Sequence, residues 1–206
     1  MITDLKRRFG RYETITGMSK IARRYFVMNA FDGAITLFGL VIGSYLAGVQ
    51  NSALVFGIGV STCVAMGVSG LWGALFTESA ERRRELKDLE KLMLRKLSAS
   101  YQGEATSMAT YFTAAVNSLS PALGGFIMLI PFLLAHLGIG GITVESAYQL
   151  SILISFATFA LLGIFLSRVS KDDAITSGLK MLMAGVTSAV IIYLLSAAGL
   201  VSAAGT

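Results

Sequence analysis

Hydrophobic positions along this chain run together in long blocks instead of alternating or marking one helical face. Five stretches, roughly 26–48, 53–77, 108–135, 147–167 and 179–201, are almost wholly apolar. Each reaches the ~20 residues that an α-helix needs to cross the hydrocarbon of a bilayer. The pattern therefore predicts an all-α membrane protein with five transmembrane helices. No charge falls between Ala147 and Ser167 or between Met181 and Thr206. The third block contains Pro121 and Pro131, and the first contains a lone carboxylate, Asp32. A proline removes a backbone donor and frees the carbonyl one turn before it. Pro121 therefore predicts a broken helix near Asn117, of the kind that lines ion sites in transporters or simply forms a kink.

The polar stretches complete the layout. Glu78 to Glu104 has no glycine or proline before Gly103 and is rich in helix formers, so the second span is expected to continue outward as a helix. Residues 1–25 are basic and amphipathic: Ile15, Met18, Ile21, Ala22 and Tyr25 recur at helical spacing, opposite Lys20, Arg23 and Arg24. That suits a helix lying at the membrane surface, or a plain basic anchor. The expected organisation is an interfacial segment over 1–25, spans 1 and 2 over 26–77, a charged helical segment over 78–107 and spans 3 to 5 over 108–206. What lies outside the spans is too short for a separate soluble core.

Charge fixes an expected topology. Seven of the 17 Lys and Arg lie in residues 1–24, seven in 82–96 and three at Arg168, Lys171 and Lys180. With five spans and a cytoplasmic N-terminus, all three clusters fall on the cytoplasmic side and the C-terminus on the other. The formal charge of +5 and mean hydropathy of +0.70 reflect this arrangement. No basic patch is interleaved with aromatics, so nucleic acid is not an expected partner. The single cysteine, Cys63, excludes an intrachain disulfide, and the N-terminus does not read as a cleavable signal. No histidine cluster, second intramembrane carboxylate or HExxH pair is present, so an enzyme is not expected.

Polar residues within the spans supply the candidate chemistry. Asn29, Asp32, Thr36, Gly39 and Gly43 recur in steps of three and four and share one face. Thr62, Met66, Ser69, Gly70 and Gly73 form a similar face in the second span. An intramembrane carboxylate reads first as a functional group. The alternative is an Asp bonded to Asn or Thr, or wetted by the interface, since Arg23 and Arg24 lie only about two turns away. Beyond the second span, Glu78, Glu81 and Glu85 share a face. Two like charges one turn apart call for a partner, which a divalent cation or Arg82 would provide. His136 and Glu145 mark the outer edge.

Several stretches together resemble the vacuolar iron transporter family. They are "FDGAITLFGLVIG" at 31–43, "AMGVSGLWGALFTESAERRRE" in the second span and its exit, "LSPALGGFIMLIPFLL" in the third, and "LLGIFLSRVSKDDAITSGLKMLMAGVTSAVIIYLL" across the last two. The resemblance implies a homodimer, embedded in membrane lipids, that moves Fe2+ or Mn2+ out of the cytosol by proton antiport. It implies no tightly bound cofactor, because the metal is cargo. It places Asp32 and Met66 on the ion path, with Asn29, Thr36, Ser69 and Asn117 completing it and Glu78, Glu81 and Glu85 gathering ions at its mouth. A carboxylate with a thioether favours Fe2+ over Mg2+ or Ca2+. Two features depart from the family pattern. "FGIGVSTCVAM" has no acid ahead of Met66, and the polar segment is one short helix, with Glu104 and Met93 as its only further candidate ligands. A second Asp32 across a dimer axis would supply the missing carboxylate. The competing readings are a scaffold or lipid-interacting protein without transport, and a family member with a different substrate. The expected location is the plasma membrane in a prokaryote and a vacuolar-type membrane in a eukaryote.

Overall fold

The computed structural model describes residues 10–14, 16–96 and 100–200. Helices α1 (Met18–Leu46), α2 (Ser52–Met93), α3 (Tyr101–Phe126), α4 (Ile130–His136), α5 (Val144–Ser170) and α6 (Ala174–Ala197) follow one another, with 3-10 turns at Ile127–Leu129 and Ile139–Gly141. There is no strand among the described residues. Five helical segments are long and apolar enough to cross a membrane, the third being α3, the first 3-10 turn and α4 together. Only helices satisfy every backbone group within a span, so the blocks of the sequence become helices and nothing else.

Three boundaries differ from expectation. First, α1 begins at Met18 and runs without a break from the amphipathic segment into the span. The apolar side of the N-terminal segment has a protein partner, because Met18 and Tyr12 cluster with Ala105 and Ala109 of α3. Gly17, at φ 59°, separates α1 from helical residues 10–14, and Ile15 lies outside the described residues. Second, α2 does continue past its apolar stretch, but it stops at Met93. Leu94 adopts a left-handed φ of 48°, and the Arg95 amide donates back to the Glu90 carbonyl, as in a Schellman stop. Third, Pro121 does not break its helix: α3 runs through it to Phe126. The interruption comes later, at the 3-10 turn before Pro131.

The chain forms two compact units, the described parts of Met1–Phe26 with Gly67–Leu119, and of Val27–Met66 with Ser120–Thr206. The second unit holds an aromatic core in which Phe38 meets Phe159 edge-on at 5.4 Å and Phe31 packs on Phe159 at 5.7 Å. Cys63, Met128 and Leu129 join this cluster. Small residues bring its backbones together, as packing without a hydrophobic driving force requires. A methyl group on Gly163 would lie 2.5 Å from the Gly178 Cα, and one on Gly185 would lie 2.5 Å from the Phe159 ring. Gly33 fits against the Pro121 backbone, and Gly124 against the Ala30 carbonyl, with no room for a methyl. At the start of α6, Asp173 accepts from the Thr176 amide at 3.0 Å. That bond, with one from the Thr176 hydroxyl, holds its carboxyl below the usual value.

Candidate functional site

Helix α1 turns its polar stripe away from the core. Ala30, Ala34, Leu37, Phe38 and Val41 are buried. At ~100° per residue Asp32 and Thr36 point the opposite way, and both are exposed. The Thr36 hydroxyl donates to the Asp32 backbone carbonyl at 2.7 Å, so its proton is used within the helix. The Asp32 side chain has no hydrogen bond or ion pair among the described residues. Asn29 is half-buried on the same face.

In the same unit, Met66 is half-buried at the rim of the aromatic core. Ala53, Gly57, Ser61 and Ala65 recur at four-residue steps along α2 and line an open groove with Leu54, Ile58 and Thr62. Nothing lies within 4 Å of where a Gly57 Cβ would sit. Their spacing was readable from the sequence, but that they face outward was not.

The other unit uses its polar residues differently. Asn117 Nδ2 donates to the Gly70 carbonyl at 2.8 Å, and the Ser118 hydroxyl donates to the Gly67 carbonyl at 2.8 Å. A Cβ on Gly70 would stand 2.7 Å from the Asn117 carbonyl oxygen, the acceptor that Pro121 cannot serve. Asn117 thus joins α2 to α3 through both its amide and its backbone. Ser69 is exposed. Thr113 is fully buried, and its hydroxyl has no partner among the described residues.

Of the three glutamates expected to gather ions, Glu78 is enclosed at 7% exposure. Its Oε1 accepts from the Tyr25 hydroxyl at 3.0 Å and its Oε2 from Arg82 Nε at 2.9 Å. The partner that the four-residue spacing offered as the alternative to a cation is therefore engaged. The sequence pattern gives Tyr25 only as part of an apolar face, and no sequence signal marks its bond. Glu81, Glu85, Met93 and Glu104 are exposed, with Glu104 accepting from the Tyr12 hydroxyl at 3.3 Å. Among the described residues, no three His, Cys, Asp or Glu side chains are gathered as a ligand set.

Residues 84–197 match the sequence model of the VIT family. The match begins on the polar part of α2, after Asp32 and Met66, and runs through α6. An uncharacterized protein of the archaeon Methanocaldococcus jannaschii is 28% identical over 188 residues, 90% of this chain and 93% of its own. No solved structure matches.

Proposed function

The chain belongs to the VIT family, and from that premise we propose that it exports Fe2+ or Mn2+ from the cytosol in exchange for protons, as a homodimer. Membership of a family of metal-ion transporters, with five membrane-length helices, makes it an integral multi-pass membrane protein. The observation that carries the finer reading is Asp32, a single carboxylate in the apolar body of α1, turned away from the core. A carboxylate at the centre of a span costs ~2.5–3.5 kcal/mol on insertion scales, and less toward the interface. A second copy packed on this face removes it from lipid and brings a second Asp32 opposite the first. Two carboxylates facing each other need a cation or protons between them. Competition of metal and proton for the same oxygens is exchange. The small-residue groove of α2 supports the dimer, because it permits close helix approach.

In this reading Met66 supplies a soft ligand, while Asn29 and Thr36 supply oxygens beside Asp32. Glu81 and Glu85 attract cations toward the mouth of the path. Glu78 and Asn117 are engaged with protein groups and hold their helices in place. The test is flux in proteoliposomes with Fe2+ or Mn2+ outside and a pH-sensitive dye inside. Wild type is expected to couple metal movement to proton movement, and Asp32→Asn to lose both. Equal transport by Asp32→Asn ends the exchange mechanism, and no flux of any divalent ion by wild type favours a non-transporting membrane scaffold.

A further inference from the structure

Arg82 is built differently from the basic residues around it. It lies five residues past Thr77, where the apolar stretch of α2 ends. At ~1.5 Å per residue that is ~7.5 Å along the helix, the depth of the headgroup layer if α2 stands upright, since polar layers widen a ~30 Å hydrocarbon slab to ~40–45 Å. Its side chain is only 9% exposed. Nε is fixed by Glu78, which Tyr25 fixes in turn. The four N–H donors on the two terminal nitrogens have no partner among the described residues. Among the buried side chains described, only the Thr113 hydroxyl is both fully enclosed and unpartnered, so the terminal nitrogens of Arg82 reach the surface. The side chain is a held fork, dry along its sides and open at its tip.

The surroundings are basic. Arg83 and Arg84 follow on α2 and are exposed, as are Arg23 and Arg24 of the same compact unit. The Arg24 guanidinium lies 5.6 Å from the centre of the Tyr25 ring. A planar fork matches two oxygens of a phosphate group. Fixing that fork in advance lowers the entropy lost on binding. We propose that the terminal nitrogens of Arg82, held in place by Glu78 and Tyr25, bind the phosphate of an anionic lipid at the bilayer edge. Arg83 and Arg84 add attraction without geometry.

The full-length chain in detergent, titrated with phosphatidylglycerol and followed by native mass spectrometry, tests this. Phosphatidylcholine of equal chain length and inorganic phosphate form the two comparison arms. Wild type is expected to retain phosphatidylglycerol preferentially. Glu78→Gln/Arg82→Gln, which removes the fork and its anchor together, is expected to bind about tenfold more weakly. Arg82→Lys keeps the ion pair, loses the fork and also binds more weakly. Displacement of the lipid by millimolar inorganic phosphate supports the same site with the free ion as its ligand. Equal binding by both Arg82 variants and wild type overturns the proposal. So does a loss for Arg83→Gln/Arg84→Gln as large as for the Glu78/Arg82 pair, because binding is then diffuse surface attraction.

Discussion

Breaking the Glu78–Arg82 pair from one side should damage the protein far more than removing it whole. Two ion pairs on α2 set the scale. Lys91–Asp88, at 3.0 Å, has side chains 78% and 57% exposed, and such a pair contributes at most ~0.5 kcal/mol. Glu78–Arg82, at 2.9 Å, has both side chains 9% exposed. Truncating one member of a buried pair leaves a charge without its counterion and costs ~3–5 kcal/mol. The Arg82 tip reaches the surface, so the lower end, about 3 kcal/mol, applies to Glu78→Gln. Arg82→Gln strands a carboxylate with only the Tyr25 hydroxyl and should cost about the same. The double variant has no charge to strand and should return to within ~1 kcal/mol of wild type. Unfolding in mixed micelles of rising dodecyl sulfate fraction, followed by far-ultraviolet circular dichroism, gives the four corners of the cycle. Asp88→Asn is the exposed reference and should change nothing measurable. Additive single effects, or single variants within ~1 kcal/mol of wild type, would refute the assignment of a buried, mutually dependent pair.

Other positions give sharper local tests. Gly163→Ala should destabilise by ~1–3 kcal/mol, because its methyl meets the Gly178 backbone; Gly73→Ala, with nothing within 4 Å, should be neutral or slightly stabilising in the same mixed-micelle unfolding series. Thr113→Val replaces an unpartnered buried hydroxyl with a methyl of the same shape and should stabilise by about 1 kcal/mol; a loss of that size would mean the hydroxyl has a partner. Asp173 has a folded pKa below its ordinary value of 3.8. Its charge therefore contributes stability in full above that value, and the contribution is lost as pH falls through the lowered folded pKa. Asp173→Asn keeps the cap and should flatten this acid limb of the stability–pH curve while leaving neutral-pH stability nearly unchanged.

The number of spans was legible because lipid admits so few solutions. A run of apolar residues long enough to cross must be a helix, and five such runs were plain. The fate of Pro121 was not legible. The helix through it packs closely, Gly70 against the freed Asn117 carbonyl and Gly33 against the proline backbone, contacts between residues far apart in sequence. The end of α2 was hidden because Leu94, not glycine, adopts the left-handed turn. Asp32 was conspicuous by its charge, and the period of α1 placed it on a stripe with Thr36. Its outward direction followed only when Ala30, Ala34 and Leu37 were seen in the core. For Glu78 the spacing offered a cation or Arg82. The structure places Arg82 on it, and the bond from Tyr25, 53 positions away, left no mark in the sequence.

Cys63, the single thiol of the chain, is 4% exposed inside the aromatic core of the second unit. A maleimide dye that fluoresces on reaction will therefore stay dark while that core is intact and light up when it opens. The protein needs no engineered label for such a measurement, and any cysteine introduced at the surface can be modified without competition from within. The same thiol also separates the two units. Gly163→Ala should advance the temperature at which Cys63 reacts, because it loosens the unit that shields it. Variants of Glu78 and Arg82 lie in the other unit. If they advance it equally, the two units melt as one, and if the thiol stays dark while helicity falls, each melts alone.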